Sequence, residues 1–175
     1  MDKKPLEIEY KFLIEKPDLR VLEAQPQFKE KKLCQMYLEL PESSQEFGKR
    51  CRIRKIEEQG NLSYIKTFKK YLKGITRIEV EEEISKDEFE HLSQFIRNGF
   101  APVEKTRYTF FYEGYTCEVD IFPFWKGMAF LEIEVESESI MPTIPPFINV
   151  IRDVSTDLNF RNSVIAQRIF EGTLT

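Results

Sequence analysis

The chain has 175 residues, 41% of them apolar and 13% aromatic, which is enough for one domain (residues 1–175) with its own hydrophobic core. A mean hydropathy of -0.43 with 32% charged residues excludes a disordered or membrane-embedded chain, and no apolar run approaches the roughly 20 residues of a membrane helix. A formal net charge of -4 excludes a general nucleic-acid or anionic-membrane surface.

The first segment, "MDKKPLEIEY", has no apolar stretch of signal-peptide type, so a cytoplasmic location is expected. Residues 6–14, "LEIEYKFLI", alternate as a strand does, with Glu7, Glu9 and Lys11 on one face and Ile8, Tyr10, Phe12 and Ile14 on the other. A short helix fits 17–24, and "FKEKKL" after it reads as a solvated loop. A second strand is expected at 33–40, then the turn "LPESSQEFG" and a third strand at 49–57, with Arg50, Arg52 and Arg54 sharing a face. The fourth strand, 62–69, alternates less cleanly, and "KKYLK" beyond it reads as another solvated loop. Residues 75–84 place Arg77, Glu79, Glu81 and Glu83 on one face.

A helix is predicted over 86–98, with Ser85 as N-cap, Glu88 as its capping-box partner and Gly99 as the stop. The single histidine, His91, falls on this helix and reads as a surface or packing residue. Three more strands follow. Residues 103–113 align Lys105 with Arg107, 115–123 align Glu118 with Asp120, and 128–137 align Glu132, Glu134 and Glu136. The proline-rich "MPTIPPF" leads to a last helix at 161–171. Cys34, Cys51 and Cys117 are too few and too widely spaced for a disulfide scaffold or zinc site.

Eight strands and a few helices in this order predict an α+β protein with a strongly curved or closed antiparallel sheet. Any one charged face could be an ordinary solvated one. Six strands repeat the pattern, however, with little Ser, Thr or Gln among the charges. If the sheet closes, these rows converge on a barrel interior, where unmatched charges are costly. A polyanion with a divalent metal satisfies both signs, because bases take phosphate oxygens and carboxylates hold the cation. Arg50 and Glu136, at strand ends, are expected in solvent, and Glu83 and Glu118 are open between lining and solvation. Tyr37, Tyr64 and Phe68 are expected to pack.

"EIEYK" resembles the ExExK signature of the CYTH superfamily, the triphosphate tunnel metalloenzymes. The likeness continues in order through "QMYL", "RIR" (Arg52–Arg54), the lysine of "YIK" (Lys66), "RIEVE" (Arg77–Glu81), "KTRY" (Lys105–Tyr108), "EVD" (Glu118–Asp120) and "LEIEVES" (Leu131–Ser137). The tail "DVSTDLNFRNSVIA" is similar to the C-terminal segment of bacterial members, which ends in a helix near one mouth of the tunnel. The resemblance implies an eight-stranded antiparallel barrel with helices outside, acting on a small triphosphate with Mg2+ or Mn2+. It implies Glu7, Glu9, Glu132 and Glu134 as metal carboxylates, with Asp120 among or just behind them. Lys11, Arg52, Arg54, Lys66, Arg77, Lys105 and Arg107 would line the phosphate path. Glu79 and Glu81 would bind a second metal or hold the bases. Lys11, Glu7 and Glu9 form the expected catalytic set. Phosphate binding is the first role for Lys11, because activating water would require a depressed pKa that the neighbouring glutamates oppose.

The activity expected from this resemblance is hydrolysis of inorganic tripolyphosphate or a nucleoside triphosphate. A class IV adenylate cyclase is the main alternative, although the His-Phe pair that precedes ExExK in that branch is absent. A thiamine triphosphatase would want an aromatic clamp, for which Trp125 is the candidate. A non-catalytic polyphosphate sensor would need bases more than two pairs of carboxylates. RNA triphosphatase fits the acidic balance least.

Overall fold

The structure, a computed structural model, describes residues 6–40 and 51–174. The turn expected at 41–48 and Arg50 lie outside the described residues, apart from Leu40 at the turn's start. In chain order the elements are β1 (Leu6–Glu15), α1 (Leu19–Glu23), β2 (Lys29–Leu38), β3 (Cys51–Glu58), β4 (Asn61–Lys73), β5 (Thr76–Glu83) and α2 (Lys86–Leu92). There follow β6 (Val103–Tyr112), β7 (Tyr115–Ile121), β8 (Met128–Glu134), β9 (Val150–Asp153) and α3 (Asn162–Glu171).

The strands pair antiparallel in the order β5-β4-β3-β2-β6-β7-β8-β1, and β1 pairs back onto β5 to close an eight-stranded barrel. Closure is carried by only three residues of β1, Leu6 to Ile8, opposite Ile78 to Thr76. The β4–β5 hairpin turns at Gly74 (φ +52), so β5 begins at Thr76 and offers β1 nothing beyond Ile8. Strand β9 takes over that edge, pairing with Phe12 to Ile14. A four-residue strand with every residue exposed has no period-two burial signal, and β9 was not expected from the sequence.

Most of the apolar faces are covered outside the barrel, although Leu62 and Leu72 at the two ends of β4 stay exposed. Phe12, Ile14, Tyr108, Phe110, Val119, Leu131 and Ile133 form one cluster with Leu22 of α1. Leu38, Cys51, Ile53 and Ile84 form another with Phe89 of α2. A third cluster lies within the barrel end. Leu13, Val103, Phe122 and Phe130 occupy the same faces as Lys11, Lys105, Asp120 and Glu132 and pack with Phe100, Val154, Ile165 and Ala166. The interior thus changes from charged to apolar along its axis, and α3 packs on the apolar end. Each fully buried Phe or Ile there contributes about 1.5–3 kcal/mol.

Two expected loops are strands. "FKEKKL" begins β2 at Lys29, pairing with β6, and "KKYLK" completes β4 as far as Lys73. Charges on both faces hide their alternation. The helix expected over 86–98 ends at Leu92 and tightens to a 3-10 turn over Ser93–Phe95. Residues 95–97 are bound to the end of β2 instead, through Glu39 N donating to Phe95 O (3.0 Å) and Arg97 N to Tyr37 O (2.8 Å). Ser85 does cap α2, accepting from Glu88 N at 3.1 Å. His91 packs edge-on against Phe95, and the three cysteines are free. No helix among the described residues is long and apolar enough to cross a membrane.

Candidate active site

The charged faces enclose a cavity of about 820 Å3. Every odd-numbered residue from Glu7 to Lys11 on β1 points into it, because Tyr10, Phe12 and Ile14 are drawn to the outer core. The same division puts Arg52 and Arg54 on its wall from β3, Arg77, Glu79 and Glu81 from β5, Arg107 from β6, Glu118 from β7, and Glu132 and Glu134 from β8. Glu136 is exposed, as expected. Glu83 is exposed and Glu118 lines the wall, which separates the two positions the sequence left open.

Three groups of ion pairs hold most of these side chains. Arg77 donates to Glu7 and Glu9, and Lys69 bridges Glu7 (3.2 Å) and Glu79. Arg52 donates to Glu79 at 3.1 Å and Arg54 to Glu81, which also accepts from Thr67 Oγ1 at 3.1 Å. Lys11 Nζ lies 3.0 Å from Glu132 and 4.0 Å from the centre of the Phe130 ring, and Arg107 Nη2 donates to Glu132 at 2.7 Å.

The balance is uneven. Burial alone would raise the Glu132 carboxyl, but Lys11, Arg107 and Lys105 hold it well below the usual range. Burial and then Glu132 push Glu9 up, against Arg77. Glu134 is raised by burial and by Glu7, Glu9, Glu118 and Glu79, although it stands at the rim and is open to solvent. On the basic side, burial and the neighbouring Arg52 and Arg107 lower Arg54 to about 10. The buried Nε atoms of Arg52 and Arg54 have no acceptor among the described residues. The cavity is therefore short of positive charge around Glu9 and Glu134 and short of negative charge around Arg54. For Arg52, burial is outweighed by Glu79, Tyr37 and Glu81, so its value is raised and only its Nε donor is left over.

A hard divalent cation fits the first imbalance. Glu9 and Glu134 sit opposite each other on β1 and β8, and each is raised partly by other carboxylates. Among the described residues no three acidic, cysteine or histidine side chains converge on one point, since Glu7 and Glu132 are drawn onto arginine and lysine. A pair of carboxylates suits magnesium, which fills its remaining positions with water and phosphate oxygens.

The expected places of Lys66, Lys105 and Trp125 are corrected, and that of Asp120 is narrowed. Lys66 points out of the barrel with Tyr64 and Phe68 and pairs with Glu88 (2.9 Å) and Glu82 (3.0 Å) on the outer surface. Lys69, three residues on, takes the inward place. The signal was present, because Tyr64 and Phe68 are expected to pack and Lys66 shares their parity. Lys105 and Asp120 are buried behind the cavity wall, with Lys105 donating to Asp120, so neither lines the cavity; for Asp120 this is the place just behind the carboxylates, one of the two that the resemblance implies. Trp125 packs among Phe122, Phe124 and Phe130 and offers no clamp. Tyr37 packs against Phe100, as expected, and also lines the cavity.

The C-terminal segment contributes a wall that residue patterning did not reveal. Lys11 N donates to Ser155 Oγ (2.9 Å) and Val154 N to Lys11 O (2.9 Å), which ties the segment to β1. Arg161 then lies 3.9 Å from the centre of the Tyr71 ring on β4, and Asn162 and Ser163 at the start of α3 face the cavity.

If the cavity takes the triphosphate that the resemblance implies, replacing the outward Lys66 by alanine is expected to leave KM for tripolyphosphate within about twofold of wild type, while Lys69→Ala at the cavity wall raises it about tenfold or more. Steady-state phosphate release by the two variants checks this.

Comparison with known proteins places these features in context. The family profile for the CYTH domain matches residues 5–142. The chain is 32% identical over 124 residues to an inorganic triphosphatase of Acetivibrio thermocellus, covering 70% of this chain and 75% of that protein. Its fold is similar to the crystal structure of the inorganic triphosphatase NE1496, at 26% identity and a TM-score of 0.53, over 92% of this chain and 94% of the other. It is also similar to the PH1819 protein of Pyrococcus horikoshii, at 25% identity and a TM-score of 0.56, over 76% and 80%.

Proposed function

The chain belongs to the CYTH domain family, and from that premise we propose that it is a triphosphatase acting inside its barrel on inorganic tripolyphosphate or a nucleoside triphosphate. The observation that carries this reading is one cavity with two opposed deficits: Glu9 and Glu134 crowded among carboxylates, and Arg52 and Arg54 with buried donors left over. A triphosphate with a divalent cation relieves both at once. The Acetivibrio relative is an inorganic triphosphatase, which supports tripolyphosphate as the substrate.

Phosphoryl transfer is governed by charge neutralisation and by in-line placement of the attacking and leaving oxygens. Arg52, Arg54 and Arg107 supply planar donors that keep their charge, and Lys11 and Lys69 act as compact point charges. Arg77, clamped by Glu7 and Glu9, can pass a donor to a phosphate oxygen when those carboxylates turn to a metal. Glu9 and Glu134, with Glu7 and Glu132 beside them, would hold Mg2+ or Mn2+. The chemistry supplied by such an ion is neutralisation of phosphate oxygens and a more acidic water. Glu79 and Glu81 hold Arg52, Lys69 and Arg54 in place.

Phosphate release from tripolyphosphate and from ATP, each with Mg2+, with Mn2+ and with EDTA, tests the proposal. The expected result is metal-dependent release that EDTA abolishes, without cyclic AMP from ATP. Cyclic AMP with pyrophosphate would assign the cavity to a cyclase, and well-folded protein that only binds tripolyphosphate would make it a sensor.

A further inference from the structure

The Asp120 carboxylate is fully buried and does not reach the cavity, yet it accepts from Arg107 twice, from Nε at 2.7 Å and from Nη2 at 2.8 Å. Two parallel bonds to one carboxylate fix the plane of a guanidinium as well as its position. The third nitrogen of Arg107 donates to Glu118, and Nη2 is shared with Glu132, both on the cavity wall. Behind Asp120 stands Lys105, its side chain 1% exposed, donating to Oδ2 and facing the Phe122 ring at 5.9 Å. Burial and Arg107 lower the Lys105 ammonium to about 8 against the pull of Asp120, as expected where two cations share one acid.

We propose that Asp120 is a positioning residue for triphosphate binding: with Lys105 as its counter-charge, it orients the Arg107 guanidinium toward the cavity and does not bind metal. The geometry favours this over metal binding for a simple reason. Both oxygens of Asp120 are already taken by cationic donors, in a place with no opening to the cavity. A carboxylate so engaged would have to give up two bonds to Arg107 and one to Lys105 to meet an ion. Without that fork, Arg107 is held only by Glu118 and Glu132 at the solvent side and is free to swing along the wall. The proposal rests on the triphosphatase reading above.

Asp120→Asn alone would strand Lys105 as a buried unpaired cation, so the test uses the charge-balanced pair Lys105→Met/Asp120→Asn. Two quantities are measured, KM and kcat for tripolyphosphate and the affinity for Mn2+ alone by electron paramagnetic resonance. The expected result is a KM raised about 10–100-fold, the loss of a charged hydrogen-bond pair, with Mn2+ affinity within about twofold of wild type. In an Arg107→Lys background, where no planar fork remains to be oriented, the same pair should add less than about twofold to KM. The proposal is overturned if Mn2+ affinity falls alongside KM, if the full effect on KM persists in the Arg107→Lys background, or if KM does not change. Wild-type protein that does not turn over tripolyphosphate would instead overturn the triphosphatase reading, while the Mn2+ titration would still report on Asp120.

Discussion

Replacing Arg54 by glutamine should lower kcat/KM for tripolyphosphate by about 10²–10³-fold, the scale on which a single donor to developing charge acts in a water-poor site. The protein should nevertheless stay folded. Arg54 is 8% exposed, with burial, Arg52 and Arg107 all working against its charge. Its partner Glu81 lies toward solvent and keeps the Thr67 hydroxyl. Removing the cation thus relieves a like-charge cluster and strands no buried charge without a partner. The melting temperature without ligand is expected to fall by less than about 4 °C, equivalent to about 1 kcal/mol for a domain of this size. A purely structural Arg54 would give the reverse, a large drop in melting temperature with kcat/KM preserved in the folded fraction.

The second large effect concerns Glu134. Glu134→Gln should reduce Mn2+ affinity at least about 10–100-fold, a range that partners of metal ligands alone can reach, and abolish turnover. It should also raise the melting temperature of the metal-free protein. Glu134 makes no hydrogen bond or ion pair among the described residues, and four glutamates together with burial raise its pKa. A carboxyl raised on folding takes up its proton at a higher pH in the folded chain than in the unfolded one, where it titrates near 4.5. As the pH falls from neutral through the raised values of Glu134 and Glu9, metal-free wild type should therefore gain stability. Below about 4 that gain reverses, because Glu132 and Asp120 have depressed values and their stabilising ion pairs are lost as they protonate. Thermal melts across this range check the sign, and Glu134→Gln should flatten the rising limb.

The barrel was legible because its two faces differ so sharply. Where polar and apolar residues alternate, as in "LEIEYKFLI" and "AFLEIEVES", the direction of every side chain follows from parity alone. The same rule failed on β4, where Lys66, Lys69 and Lys70 place charge on both faces and the motif "YIK" suggested the wrong lysine. Parity set by the packed Tyr64 and Phe68 corrects it. Asp120 shows a different limit. It does lie on the charged face, as its spacing from Glu118 requires, but depth along the barrel axis is not written in alternation. Only the closed sheet reveals that Asp120 stands level with the apolar Phe130, its partner on β8, and so lies behind the cavity wall. The contributions of Ser155 and Arg161 arise from a long return of the chain to β1 and β4, for which local sequence carries no periodic signal.

A 31P NMR time course of tripolyphosphate with Mg2+, run with wild-type protein and with Arg54→Gln, tests the central claim most directly. If the charged interior is the reaction site, wild type converts tripolyphosphate to pyrophosphate and orthophosphate in equal amounts, and the folded variant loses nearly all of that conversion. Undiminished conversion by the folded Arg54→Gln protein, or none by wild type, would contradict the account.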